Sequence, residues 1–501
     1  MAKSIYLVNP MSDYPSYYGG EVYAGTGLGA TTTIADLAIP TVAAMVPQDF
    51  EIDMVDQYVA EVDFDHPAEI IGITGKITQF GNMKKIATEF RERGKTVLIG
   101  GPYASLSPDM VRPYADILVE GEMEEIAEEI FEDIRAGKPK DYYKGTRPDL
   151  RTSPLPRWDM YPNHRAQTGS VQTSRGCPFE CDFCDVIQYL GRKQRHKDPD
   201  QAIKELEQLY NFGYRVVFLA DDNFTAHRRK AREMLEALAE WNNNREERMS
   251  FYTQLSIDIT KDEEMLALCA EAGMTSVFIG IETPNEESLK LSKKRQNLGV
   301  SLEDRIQMFT DYGIMVMAGQ IVGFDGDDHS IFDRQYRFAM STTAPIFTLG
   351  ALVAPAATPL FDRMDREGRL IESGEGKETI GNPWNTNIVP ANMTREELME
   401  GIKWLANNIY APQSFGDRLI RFAETFGQRV DKKTLERRRV ANQELRPVDM
   451  DATKLVRRFA RSGPEEAKVW AKLGKIVARK PEVGRSVMWA IAMYMQIRHM
   501  Y

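Results

Sequence analysis

The sequence predicts an α/β protein of three parts. These are a doubly wound, Rossmann-like N-terminal domain over residues 1–140, a partial six-unit strand–helix barrel over 169–354, and a helical region over 355–501. Short apolar runs alternate with helical patterns through the first 140 residues, which implies a parallel sheet covered on both faces. A second alternating series follows a stretch rich in Pro, Lys and Asp. After Pro355 the strand-like runs stop and helical periodicity takes over.

In the first part, Ser4–Pro10, Phe50–Asp56, Glu69–Gly75, Thr96–Gly101 and Ala115–Gly121 read as strands, each ending in a turn former. Ile34–Val46, Asn82–Arg93 and Met123–Ala136 read as helices. A ligand is expected beyond the carboxyl ends of such strands. Tyr23–Thr33 (YAGTGLGATTT) reads as a loop, and its G-x-G-x-G does not follow a strand, so it is a weak nucleotide signal. Residues 141–168 read as an interdomain linker on composition.

The barrel strands are expected at Ser170–Ser174, Arg215–Ala220, Ser250–Ile257, Thr275–Ile281, Ile314–Val322 and Ile346–Val353. Helical patterns between them include Pro199–Phe212, Ala226–Trp241, Asp262–Ala272 and Leu302–Tyr312. Six units are fewer than the eight of a closed barrel, so an open one is expected, with its active site at the strand carboxyl ends. In the helical region, Thr394–Tyr410 starts with a Thr-x-x-Glu capping box.

Composition narrows the function. A net charge of −11 argues against nucleic acid as the main partner. The charge is uneven: Gln428–Tyr501 carries 18 Lys and Arg against 8 Asp and Glu. Such a tail suits a solvated helical face, another subunit, or peripheral contact with an anionic membrane. Ser486–Met495 (SVMWAIAMYM) is apolar but too short to span a bilayer, and core is the expected role. The N-terminus lacks signal-peptide features, and four cysteines make no disulfide framework. A cytoplasmic protein with reduced thiols is expected.

Three of those cysteines, Cys177, Cys181 and Cys184, stand in TSRGCPFECDFCDV (Thr173–Val186), spaced C-x3-C-x2-C. Zinc sites use paired knuckles or Cys and His pairs to close four ligands. No second knuckle exists, and His196 has no partner at finger spacing. Cys269 lies on the apolar face of a helical pattern and reads as a small core hydrophobe. Three soft thiolates suit an iron–sulfur cluster with one iron left open.

The loop resembles that of radical S-adenosylmethionine (SAM) enzymes, with Phe183 as the aromatic member of C-x3-C-x-aromatic-C. The resemblance implies that Cys177, Cys181 and Cys184 are catalytic and hold a 4Fe–4S cluster whose open iron binds SAM. A one-electron reductant such as flavodoxin or ferredoxin would drive cleavage to a 5′-deoxyadenosyl radical. Gly319–Gly323 (GQIVG) is similar to the family's adenine-supporting strand, which points to Gly319 and Ile321. The usual acidic residue three places on is Gly326 here. Asp221, Asp222, Asn223, Gln254, Ser256 and Glu282 stand at strand ends as candidates for holding SAM or substrate. Gly191 and Arg192 also match the group, with Arg192 expected to face an anionic cofactor or substrate.

A doubly wound domain before such a barrel resembles the cobalamin-binding class. Leu98–Ser105 (LIGGPYAS) and Ile117–Glu125 (ILVEGEMEE) look like its two turns. They bring Gly100, Gly101, Glu120, Gly121 and Glu122 to a cobalamin site, joined by Thr74 and Gly75. Glycines there let backbone approach a bulky ligand and leave amides free. The Asp-x-His-x-x-Gly cobalt-ligand motif is missing, and His66 precedes a strand. Ala357–Leu370 and Pro390–Phe415 look like the helical extension of a subset that includes hopanoid methylases. The class implied is a cobalamin-dependent radical SAM C-methyltransferase acting on a small molecule or lipid. The alternatives are a non-methylating cyclase, ring-contracting enzyme or oxidoreductase, and a non-catalytic iron–sulfur or cobalamin sensor.

Overall fold

The computed structural model describes residues 3–371, 382, 384–438 and 446–500. Its first strands are β1 (Ser4–Asn9), β2 (Thr32–Ile34), β3 (Glu51–Asp56), β4 (Ile70–Thr74), β5 (Thr96–Gly100), β6 (Ile117–Glu120) and β7 (Tyr142–Lys144). Then come β8 (Ala166–Val171), β9 (Ser174–Arg175), β10 (Arg195–His196), β11 (Val216–Leu219), β12 (Ser250–Gln254), β13 (Met274–Glu282), β14 (Met315–Val322) and β15 (Ile346–Ala351).

One sheet runs β3-β1-β4-β5-β6-β7, all parallel. Along β1, Ile5 and Leu7 enter one core while Tyr6 and Val8 enter another, as alternation requires of a sheet covered on both faces. The helices Ala38–Met45 and Ala127–Arg135 cover the first face, with Ile39, Ile130 and Phe131. The helix Phe80–Glu92 covers the second, with Met83, Ile86 and Phe90. Burying each such side chain is worth about 1.5–3 kcal/mol. The winding reverses between β1 and β4, so the ligand crevice of this topology falls beside Thr74 and Gly75.

The second sheet runs β15-β14-β13-β12-β11-β8-β2, again parallel. Six of its strands are the expected barrel units. The seventh, β2, comes from the segment expected to be a loop of the first domain. Thr32–Ile34 pairs with β8, and Thr168 Oγ1 donates to the Thr33 carbonyl at 2.8 Å. The following helix starts at Ala38 rather than Ile34, because the Asp36 carboxylate accepts the Ile39 N–H at 2.9 Å.

The stretch expected to be a linker is packed structure. Its start supplies β7, Trp158 is fully buried, and Asn163 accepts the Tyr214 hydroxyl at 2.9 Å. Composition alone hides this, since Pro, Arg and Asp flank Trp158 and Tyr161.

The C-terminal region is helical, and the capping box forms. Thr394 Oγ1 accepts the Glu397 N–H at 3.1 Å, and the Glu397 carboxylate accepts the Thr394 N–H at 2.8 Å. In the last helix, Gly484–Met500, Val487, Ala490, Ile491 and Tyr494 are buried. Tyr494 stacks on Phe415 with centroids 4.3 Å apart, and Trp489 meets Tyr252 of β12 at 5.6 Å. Gln496 accepts the Val22 N–H and donates to Glu21 at 2.6 Å. Much of the apolar surface of the last helix is thus packed inside the chain, while Met488 stays exposed. Among the described residues no helix is long and apolar enough to cross a membrane.

Candidate active site

The cysteine loop leaves the carboxyl end of β8 and is held at its neck. The short pair β9–β10 closes it, with Arg195 opposite Arg175 and His196 opposite Ser174. Asp221, just after β11, accepts the Thr173 N–H at 2.7 Å and the Thr173 and Ser174 hydroxyls at 2.6 Å. Asp222 accepts the Gly176 N–H at 2.9 Å. Gly176 has φ +97°, and a Cβ there would lie 2.8 Å from the Gly191 carbonyl. Only glycine suits both the angle and the crossing. The same Gly191 carbonyl accepts the Cys177 N–H at 3.2 Å.

Asp221 and Asp222 are expected from the sequence to hold cofactor. In the structure both accept hydrogen bonds from the chain's own amides and hydroxyls at the neck of the loop. Burial keeps Asp221 above the usual carboxylate range and pushes Asp222 up to about 6, with Asp221 adding to it.

The loop brings its three thiols into electrostatic contact. Burial pushes Cys184 up to about 12, with Asp185 and the other two cysteines adding to it, and burial likewise raises Cys177. Asn223 Nδ2 lies 3.9 Å from the Cys177 sulfur, and Gln296 Nε2 lies 3.7 Å from that of Cys181. Among the described residues no trio of Cys, His, Asp or Glu is arranged for a single metal ion, which would need its sulfurs about 2.3 Å from one point. Three soft donors on one partly buried loop, with amide N–H groups aimed at two of the sulfurs, fit a multi-iron cluster. Cys269 lies in the core on the helix Glu263–Ala272, as expected.

Phe183 leaves the loop to pack with Ile321 against the cluster of Phe324, Leu352, Leu360 and Met364. Its ring meets that of Phe324 edge-on at 5.9 Å. The aromatic position thus ties the loop to β14, the strand of the G-x-I-x-G motif. The acidic residue expected near Gly326 stands one place later. Asp327 is buried and accepts the Gly323 and Phe324 N–H groups at 3.1 Å and the Ser288 hydroxyl at 2.8 Å.

Glu282 ends β13 at φ +64° with its side chain 7% exposed. It pairs with Lys294 at 2.6 Å. Burial alone would lower the Lys294 ammonium's pKa, but Glu282, Cys181 and Cys184 hold it above the usual lysine value. Lys294 also lies 6.0 Å over the Phe183 ring. The sequence does not single out this residue, because a lysine twelve positions after a strand end carries no pattern. Gln254 ends β12 half-buried, and its side chain makes no hydrogen bond to a described residue. Asn223 donates to Ser256 at 2.7 Å. Arg192 is exposed and paired with Glu180 at 2.6 Å, so it serves the loop's outer side.

The turns of the first domain lie against this loop. The helix Pro102–Leu106, after Gly100 and Gly101, packs on Val186–Tyr189, the helix after the cysteines. Gly101 has φ +94°, and a Cβ would meet Thr74 Oγ1 at 2.5 Å. Thr74, Gly75, Gly100 and Gly101 therefore meet in one close strand-end cradle, where the lack of a Cβ at Gly101 lets the two turns approach. The Gly121 N–H donates to Ser105. Glu120 and Glu122 both make ion pairs. Glu120 pairs with Lys144 at 2.8 Å and accepts the Tyr142 hydroxyl. Glu122 pairs with Arg175 and Arg195, each at 2.6 Å. Both carboxylates are committed within the chain. His66 stacks on Tyr6 and faces Asp53, away from the cradle.

A three-thiol loop at the mouth of an open parallel barrel, with a doubly wound domain docked on it, is the arrangement of an iron–sulfur enzyme, as the resemblance to radical SAM enzymes implies. A model described as the radical SAM superfamily matches residues 171–339, and a domain of unknown function (DUF4070) matches 358–501. The chain is 36% identical over 399 residues to an uncharacterized methyltransferase of Synechocystis sp., covering 78% of this chain and 73% of that one. It is 30% identical to a hopanoid C-2 methylase of Rhodopseudomonas palustris, covering 68% and 66%. Among solved structures, the cobalamin-dependent SAM radical enzyme OxsB with aqua-cobalamin bound aligns with 99% of this chain and 80% of its own, at TM-score 0.62 and 16% identity. That likeness is one of fold. The chain belongs to the radical SAM superfamily, in the branch with a doubly wound domain before the barrel and a helical domain after it.

Proposed function

We propose that the protein is a cobalamin-dependent radical SAM C-methyltransferase that modifies an unactivated carbon of an apolar, lipid-like molecule. The observation that carries this reading is the contact of Glu122 with Arg175 and Arg195, which seats the first domain's strand-end turns on the neck of the cysteine loop. The likeness to a hopanoid methylase supports the substrate class, and the fold shared with a cobalamin-bound enzyme supports the second cofactor. Bound cluster and cobalamin would supply radical generation and methyl carriage. Cys177, Cys181 and Cys184 would hold the cluster. Phe183, Gly319 and Ile321 shape the SAM side, with Gln254 and Glu282 at the barrel mouth. Thr74, Gly75, Gly100, Gly101 and Gly121 form the cobalamin side, and no chain ligand to cobalt is assigned. A one-electron reductant of the flavodoxin or ferredoxin type is the protein partner, and the basic tail offers peripheral contact with an anionic membrane.

Methyl-labelled SAM tests the reading. Reconstituted protein given reductant and an apolar lipid extract is expected to place label in one lipid product and release 5′-deoxyadenosine. Formation of 5′-deoxyadenosine without label in any product would replace methyl transfer by another radical reaction.

A further inference from the structure

Five arginines converge at the end of the barrel opposite the cysteine loop. Arg245 and Arg248 stand just before β12, Arg437 ends the helix Lys432–Arg437 and Arg438 follows as its C-cap, and Arg485 lies in the first turn of Gly484–Met500. With Ser250 they line a cavity of ≈ 270 Å³. Arg245 is paired with Glu207. The other four make no ion pair with a described carboxylate. Arg248, Arg437 and Arg485 each spend one terminal nitrogen on the chain, on the Glu271 carbonyl, the Asn243 side chain and the Ser250 hydroxyl. Arg438 serves the carbonyls of Ala270, Met274 and Gly313, yet its Nε and that of Arg248 are buried without a partner.

Glutamates on the same wall offset these groups only in part. Glu247 is taken by Arg215 at 2.6 Å, and Glu246 and Glu436 are exposed, which leaves Glu482, with one carboxylate oxygen buried, as the single partly buried acid against four arginines. Burial, and then Arg437, push Arg248 down to about 10, and burial with Arg248 does the same to Arg438. Crowded cations with spare donors are costly unless an anion joins them. The first turn of Gly484–Met500 adds the positive end of a helix to the wall.

We propose that this cavity binds a phosphate-bearing anion, at a site separate from the radical chemistry. Guanidinium forks match phosphate oxygens in pairs, and the cavity has room for one or two phosphoryl groups. The source is a free phosphate compound or an anionic lipid headgroup, and one experiment separates them.

Inorganic phosphate and pyrophosphate are titrated calorimetrically into the full chain, and flotation with phosphatidylglycerol or phosphatidylcholine vesicles forms a second arm. Saturable binding of a soluble anion that weakens at least tenfold in Arg248→Gln and Arg437→Gln, but not in the surface control Arg337→Gln, supports a free phosphate ligand. Binding to phosphatidylglycerol vesicles alone, lost in the same two variants, supports a headgroup. No binding in either arm, or binding unchanged in both variants, overturns the proposal. If Arg248→Gln fails to fold by circular dichroism, Arg437→Gln decides, since it gives up one side-chain hydrogen bond.

Discussion

Glu122 and Arg175 meet at 2.6 Å between the turn that ends β6 and the strand that enters the cysteine loop. The residues are 53 positions apart, and both are nearly buried, at 8% and 14% side-chain exposure. Glu124 shares the same Arg175 nitrogen at 2.6 Å, and Arg195 closes the group on Glu122. Burial alone would raise Glu124, but Arg175 holds its carboxyl below the usual range. Two domains are thereby joined at the point where the cluster loop begins.

Removing the charge of Glu122 leaves Arg195 without a carboxylate and Arg175 with one. Breaking a buried pair on one side costs about 3–5 kcal/mol, and the residual exposure here brings that to about 2–3 kcal/mol. Glu122→Gln is expected to lower urea stability by that amount. Its iron and sulfide content after reconstitution should stay near wild type while 5′-deoxyadenosine formation drops about tenfold. Unchanged turnover with full stability would show that the clamp does not position the loop.

The cysteines separate by role. Cys181→Ala is expected to lose cluster iron and reductive SAM cleavage, because no fourth thiol stands in the loop. Cys269→Ala should keep both and cost about 1–3 kcal/mol, as a buried side chain trimmed in a packed core does. Iron analysis, 5′-deoxyadenosine assay and denaturant unfolding check the pair. Loss of cluster in Cys269→Ala would make it a ligand.

What could be read in advance follows from how far apart the partners lie. Five strands of the first sheet and six of the barrel come from local apolar runs, and the structure places them within a few residues of expectation. The cysteine loop is one contiguous motif. β2 escapes because three residues carry no period, and Trp158 and Tyr161 escape because their surroundings are polar. Glu122 and Asp221 are visible as strand-end acids, but their duty depends on Arg175, Thr173 and Ser174, brought to them only by the fold. Asp327 stands one residue from where the family pattern looks.

Asp56, at the end of β3, supplies a pH test away from the cysteines. It accepts the Tyr161 hydroxyl and the Tyr58 N–H. Burial pushes its carboxyl up to about 7, the Tyr161 bond opposes, and nearby Asp36 adds to the rise. The unfolded chain releases this proton near pH 4. Below that pH both states hold it and the penalty is absent. As pH rises through 7 the native state must ionise a buried group, so this contribution to stability is lost. Between pH 5.5 and 8 the loss is about 2 kcal/mol. Asp56→Asn should therefore gain about that much relative to wild type across the window, measured by urea unfolding at both values. A gap independent of pH would place the native titration elsewhere.

Lys294 offers the sharpest separation of packing from chemistry. Its ammonium is paired with Glu282 at 2.6 Å and its charge acts on Cys181 and Cys184. Lys294→Met keeps an unbranched stem of similar length but leaves Glu282 buried and unpaired, for a loss of about 3–5 kcal/mol. Glu282→Gln leaves the lysine unpaired and should cost a similar amount. The double variant removes both charges and should cost no more than either single change, so the cycle gives a coupling of about 3–5 kcal/mol. Stability alone cannot tell whether the cation also serves the thiols. Without it the cluster-free loop loses a cation that favours the reactive thiolate form. Alkylation of the cluster-free loop at pH 8 is therefore expected to slow several-fold in both Lys294→Met and the double variant, but not in Glu282→Gln. Equal alkylation rates in all three would restrict Lys294 to holding Glu282 in place.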